Sequence, residues 1–179
     1  MDKREKRSRE AVYQSFMKLL EEKEYDQISV NDILRESGLS RSTFYSHFQN
    51  KDDVLRDVCD SIYGEVFNFD FDKLSGGSVF DYRRLIYELF YKFYGKRDLA
   101  KAIFSSNGSA IFSSQIRKRS WPLMYGAIKS RLFYREGVPE RLQAHQLTHS
   151  YISLLEHWVS HDDAYSPEQM YQIFLKLYE

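Results

Sequence analysis

The side chains of this 179-residue chain that could do chemistry fall into three groups. His145 and His149, and again His157 and His161, are spaced i and i+4, so either pair could clamp a metal ion from one helix face. No cysteine and no acidic third ligand completes either set. Both pairs therefore read as polar residues of a helical interface, and no metal or cofactor is expected. Asn107-Gly108-Ser109 has the form of a glycosylation site, but with no signal peptide it reads as a turn. A glycine-rich phosphate loop, a serine nucleophile elbow and a placed carboxylate pair are all missing, which argues against an enzyme. The third group is Arg41, Ser42, Tyr45 and His47. These side chains can reach base edges or phosphates, and they sit around an apolar anchor, Phe44.

Composition limits what these residues can belong to. Apolar residues make up 42% and charged residues 29%, which is the range of a chain with a packed core. Only 8 Gly and 3 Pro are present, too few for the turns of an all-β sandwich or barrel, so the fold class is all-α. A single cysteine, Cys59, allows no internal disulfide and suits a reducing cytoplasm. No apolar run approaches the roughly 20 residues that cross a bilayer, and the N-terminus lacks an apolar leader core, so no membrane partner is expected. The 26 basic and 26 acidic residues cancel. Placement is more informative than the sum. Lys3, Arg4, Lys6, Arg7 and Arg9 form a basic arm, which becomes a phosphate-binding element only if a groove-reading element follows.

Periodicity supplies the elements that would position the third group. Val12, Phe16, Leu19 and Leu20 mark a first helix ending near Lys23. Ser29 can cap a second, Val30 to about Ser37, which Gly38 stops with a left-handed turn. Ser40 is the N-cap of a short third helix, and Asn50 with Asp53 begins a fourth. Phe67, Phe69 and Phe71 then alternate with polar residues in an irregular connection, and Ser75-Gly76-Gly77-Ser78 reads as a linker. Helical pattern resumes over about Val79 to Tyr94 and Asp98 to Phe104. It continues from Ser109 to about Tyr134, with Pro122 expected to kink or divide that helix, then to His161, and finally from Pro167 to Tyr178. The pattern amounts to about nine helices.

The segment from Ile28 to Lys51 is thus helix, tight turn, helix, with apolar residues where two crossed helices must touch. This is the organisation of a DNA-binding helix-turn-helix. The run Ser40-Arg41-Ser42-Thr43-Phe44-Tyr45-Ser46-His47-Phe48-Gln49-Asn50-Lys51, preceded by Ser29-Val30 and Ser37-Gly38-Leu39, resembles the signature of the TetR family of transcriptional regulators. The ending, His157-Trp158-Val159 and then Ser166-Pro167-Glu168-Gln169-Met170, is similar to a subgroup that includes regulators of dihydroxyacetone kinase genes. The resemblance implies that residues 1–50 form the DNA-binding domain and 51–179 an effector-binding and dimerisation domain. It places Arg41 and Ser42 on bases. Thr43, Tyr45 and Lys51 would contact phosphates, Ser29 and Asn31 the backbone near the second helix, and His47 a variable position. Two residues depart from the pattern: Leu34 stands where the family commonly has a small alanine, and Ser42 where glycine is frequent.

The implied function is a cytoplasmic, homodimeric repressor of a palindromic double-stranded operator, released when a small effector moves the fourth helix. Phe90, Phe104, Trp121, Met124 and Tyr125 are expected to line an apolar pocket at a break made by Pro122, suited to a largely apolar or aromatic effector. The dimer is expected to form through Leu147, Tyr151, Leu154, Leu155 and Trp158 of the penultimate helix and Met170, Phe174 and Leu177 of the last, because a terminal helix apolar nearly all round needs cover on more than one side. The competing reading is a DNA-binding co-activator or scaffold controlled by a protein partner, with no small-molecule effector.

Overall fold

A computed structural model describes residues 3–67, 78–161 and 165–178. Among the described residues there are nine α-helices and one 3-10 turn, with no strand. The first four helices are α1 (Lys3–Glu22), α2 (Val30–Ser37), α3 (Arg41–Tyr45) and α4 (Lys51–Val66), and the 3-10 turn is Tyr25–Gln27. The buried stripe of α1, from Val12 to Leu20, packs across α2 and α4. Helix α2 starts on a reciprocal cap: the Asp32 N–H donates to the Ser29 hydroxyl at 3.2 Å, and the Ser29 N–H donates to the Asp32 carboxylate at 2.9 Å. It ends where Gly38, at φ 67°, donates its N–H to the Leu34 carbonyl at 3.0 Å. A side chain at Gly38 would be strained in that left-handed conformation. Leu34 is half-buried against the core, so the bulkier residue is taken up at the edge of the helix pair.

The larger part comprises α5 (Val79–Tyr94), α6 (Arg97–Phe104), α7 (Ser109–Lys129), α8 (Glu140–Ser160) and α9 (Pro167–Tyr178). Helices α7 and α8 form the most extensive pair, α9 lies along α5, and α4 packs on α7. The core of the two parts is continuous. Phe67 closes α4 and packs edge-on against Tyr63 and Phe93, whereas Phe69, Phe71 and the expected linker up to Gly77 lie outside the described residues.

Three expectations need correction. First, Pro122 does not divide α7, which runs unbroken through it and ends at Lys129 rather than near Tyr134. Pro122 and Lys118 both face solvent, so the carbonyl freed by the missing proline N–H lies on the water side of the helix. Second, the five aromatic and Met side chains do not gather around a cavity. Phe90 packs among Tyr151, Trp158 and Phe174; Phe104 packs on Phe112; Met124 is fully buried; and Trp121 stacks on Tyr125 at 4.9 Å, half-buried. Third, most of the eight residues assigned to the dimer face are core. Leu147, Tyr151, Leu155, Trp158, Met170 and Phe174 are buried within one chain, Leu154 is half-buried, and Leu177 alone is largely exposed, at 58%. The apolar girth of α9 is covered by its own chain, chiefly by α5.

One close approach fixes how α5 meets α7. A Cβ on Gly126 would lie 2.5 to 2.7 Å from three atoms of the Tyr82 phenol. Gly126→Ala gains about 1 kcal/mol of helix propensity, but a ring held against a methyl group at that distance costs about 1–3 kcal/mol. A net loss of stability is expected in urea unfolding. The loss should disappear when Tyr82 is also shortened to Leu, and a stabilised single variant would contradict the packing.

Candidate nucleic-acid interface

Helix α3 is built around its buried anchor. Phe44 is fully buried, while Arg41, Ser42, Tyr45 and Ser46 face solvent. Tyr45 is 52% exposed, and its ring rests edge-on against Phe44 at 5.4 Å, so the phenol is carried outward on a fixed support. The Ser40 hydroxyl accepts from the Thr43 N–H at 3.2 Å and lies 3.0 Å from the Ser42 hydroxyl and 2.9 Å from that of Thr43. The start of the helix is thereby ordered along with two of its candidate DNA-contacting groups. Arg41 donates to the Asn31 side-chain oxygen at 2.8 Å, which joins the exposed starts of α2 and α3. A guanidinium has five N–H donors, so this bond leaves others for a base edge.

The basic arm is helical from Lys3, and this brings it to α3. An open groove of about 600 Å³ lies between the two, lined by Arg4, Glu5 and Ser8 on one side and Ser42, Thr43, Ser46 and His47 on the other. Ser8 and Ser46 are absent from the sequence-based set, which has Arg4 only as part of the basic arm. The signal for Ser8 and for the placement of Arg4 was the ladder Val12, Ser8, Arg4, read backwards at i−4 from the apolar stripe. Arg9 sits over the Phe48 ring at 5.4 Å and pairs with Asp57 of α4 at 2.9 Å.

Of the eight candidate residues, Ser29, Asn31, Arg41, Ser42, Thr43 and Tyr45 are on or beside the exposed ends of α2 and α3, and half-buried His47 lines the groove. Ser29 serves its own helix as cap. Lys23, beside Asp32 at 2.8 Å, together with the Ser29 hydroxyl and N–H, holds the Asp32 carboxyl well below the usual carboxylate range. A lowered carboxyl contributes stability above its unfolded pKa and loses it as pH falls through the folded one. The placement of α2 therefore holds at neutral pH and weakens only in acid.

Lys51 has a different engagement. Its ammonium donates to the carbonyls of Tyr25 and Asp26, at 3.0 and 3.2 Å, and lies 4.4 Å from the Tyr25 ring centre. The Tyr25 hydroxyl in turn donates to Asp52. Lys51 thus clasps the start of α4 to the 3-10 turn. Lys51→Ala is expected to lower stability by about 1–2 kcal/mol, as loss of charge-assisted hydrogen bonds does. A urea midpoint unchanged from wild type would show the clasp to be idle.

Helix α4 links this head to the rest of the chain. Asp57 pairs with Arg9 of α1, Asp60 pairs with Arg119 of α7 at 2.8 Å, and the Tyr63 hydroxyl donates to the Phe112 carbonyl at 3.1 Å. A second joint lies at the turn before α7, where the Asn107 N–H faces the Asp26 carboxylate at 3.3 and 3.4 Å. Cys59, buried in α4, has its thiol pushed up to about 12 by that burial, so it supplies no thiolate near neutral pH. Each histidine pair brings its rings together, with centroids 4.3 and 4.2 Å apart. Among the described residues no group of three His, Cys, Asp or Glu could hold a metal ion.

Residues 17–58, from mid-α1 to mid-α4, match the family model described as bacterial regulatory proteins, tetR family, and residues 81–179 match that of a transcriptional regulator C-terminal region. The chain belongs to the TetR family. Its members are DNA-binding transcriptional regulators that act as dimers. The chain is 26% identical over 186 residues to the HTH-type transcriptional regulator YxbF of Bacillus subtilis (strain 168), a match that covers 98% of this chain and 46% of that protein. It is also 33% identical over 57 residues, 32% of this chain and 30% of the relative, to DhaS of Lactococcus lactis subsp. lactis (strain IL1403), named as a transcriptional activator of the dhaKLM operon. The chain spans less than half the length of the curated relatives it matches. In fold, it is similar to a TetR transcriptional regulator from Streptococcus agalactiae 2603V, with TM-score 0.77, 22% identity and coverage of 99% and 97% of the two chains. A structure of the dihydroxyacetone kinase operon activator DhaS aligns with TM-score 0.64 and 16% identity over 95% and 93%.

Proposed function

We propose that this TetR-family chain binds a palindromic double-stranded operator as a homodimer, through α3 and the helical basic arm. The observation that carries this reading is the exposed face of α3 together with the groove beside it. Arg41, Ser42 and Tyr45 stand outward on a buried Phe44, with Arg4 across the groove, an arrangement that supplies base-reading and phosphate-holding donors together. The DNA-binding unit is taken as residues 1–50 and the effector-binding and dimerisation unit as 51–179, in a cytoplasmic protein. The dimer is assigned to the outward faces of α8 and α9, where Leu142 and Leu177 are exposed and Ile173 is half-buried. In this reading the chain is a repressor. A small, largely apolar effector shifts the population of α4 positions, and with it the spacing of the two recognition helices.

Sedimentation of the full chain with a fluorescent duplex tests the reading. Two chains per duplex, with affinity falling steeply as salt rises, is the expected result. One chain per duplex, or an affinity indifferent to salt, would count against it.

A second reading has its own support. The core around Phe90, Phe104 and Met124 is packed, and the DhaS relatives carry the name of activators. On that reading the chain is an activator governed by a protein partner, and its control would survive the absence of any small molecule.

A further inference from the structure

A groove of about 350 Å³ lies between α1 and α6, and it shares no residue with the groove beside α3 or with the outward faces of α8 and α9. That volume falls in the roughly 300–1,000 Å³ range of small-molecule sites. Met17 and Leu20 of α1 and Leu99 and Ala102 of α6 make its apolar walls; Leu20 is buried and the other three are half-buried. The two remaining lining residues are acids, Glu21 on α1 and Asp98 on α6. No Lys or Arg lines the groove among the described residues.

The acidic side of this groove is not neutralised from nearby. Glu21 stands in the last turn of α1, which holds no basic residue, so its carboxylate meets the negative end of the helix dipole. The two lysines closest to it in sequence are turned to α2 instead: Lys18 pairs with Glu36 at 2.5 Å and Lys23 with Asp32 at 2.8 Å. Glu21 is exposed and has no ion pair and no side-chain hydrogen bond among the described residues. Asp98 is favoured at the start of α6 by that helix's dipole. Its one ion pair is with Arg97 at 3.8 Å, too long for a hydrogen bond, and the Arg97 guanidinium lies 5.5 Å from the Tyr94 ring centre.

We infer that the groove between α1 and α6 binds a small amphipathic cation, with an ammonium head between Glu21 and Asp98 and an apolar body against Met17, Leu20, Leu99 and Ala102. An ammonium brings three donors to two carboxylates, and the charge-assisted bonds it makes there are the strong kind. The apolar walls reward a tail that leaves water, which an inorganic cation lacks, and the unbranched thioether chain of Met17 adapts to its shape. Glu21 lies 17 residues from Arg4, about 25 Å along α1, so the occupant does not touch the operator-binding groove. The site stands whether or not the chain binds DNA.

Calorimetric titration of the full chain at neutral pH with octylamine, octanol and octanoate tests this, with sedimentation alongside. One octylammonium per chain is expected, bound at least tenfold tighter than octanol, with octanoate the weakest of the three. Glu21→Gln, which alters only an exposed side chain, should weaken the amine at least threefold. Joined with Asp98→Asn, it should bring the amine down to the affinity of octanol, itself unchanged. Ala102→Leu, which narrows the groove from the α6 side, should weaken amine and alcohol together. Equal affinity for amine and octanol, no saturable binding, or amine affinity unchanged in the doubly substituted chain overturns the assignment. So does a fall in the sedimenting mass on adding octylamine, which would make the groove the seat of a second copy of this chain.

Discussion

Phe44→Ala is expected to destabilise the protein by about 3–5 kcal/mol, the range for removing a large buried aromatic side chain, and to abolish duplex binding. Phe44 is fully buried and meets Tyr45 edge-on and Phe48 in a tilted contact, so two neighbouring rings lose a common support when it is truncated. Helix α3 has only five residues and cannot persist without tertiary contacts. The loss should appear as a lower urea midpoint. Phe44→Leu, which refills most of the space, should recover the larger part of both stability and binding. A Phe44→Ala protein that unfolds at the wild-type midpoint would mean that α3 is held by something other than its anchor.

Arg41→Ala should leave that midpoint almost unchanged, because the side chain is exposed and bonds only across the surface to Asn31. Its effect belongs to recognition. The expected cost is about 1–3 kcal/mol on the preferred duplex, with relaxed discrimination at one symmetric base pair and little change elsewhere. Asn31→Ala, which frees the guanidinium without removing it, should cost less. Uniform weakening on every duplex would reassign Arg41 from base reading to phosphate holding.

The parts of this fold that could be read from sequence are those fixed by neighbours three or four residues apart. Ser29 as a cap, Gly38 as a left-handed stop, Ser40 and Asn50 as starts: each is a bond between a side chain or N–H and a group one helical turn away. What escaped depends on partners far along the chain. Lys51 has the residue type and position of a phosphate contact, and what spacing did not show is that its ammonium also meets carbonyls 26 and 25 residues earlier. Pro122 looked like a break because periodicity alone does not say which side of α7 meets water. Which apolar residues of α9 are core within one chain was not legible, because the depth of α5 packing against it is set by topology. The basic arm looked like an appendage because its apolar stripe begins only at Val12, although the helix starts nine residues earlier.

The account stands or falls on whether α3 reads sequence. Selection of the full chain against a library of random duplexes is the most direct measurement. The expected product is an enriched palindrome whose half-sites are about one helical turn, or a multiple of it, apart, the spacing that a two-fold pair of recognition helices imposes. Its enrichment should fall at one base pair per half-site when the selection is repeated with Arg41→Ala. A pool that stays random through successive rounds while the protein remains folded would contradict the central claim.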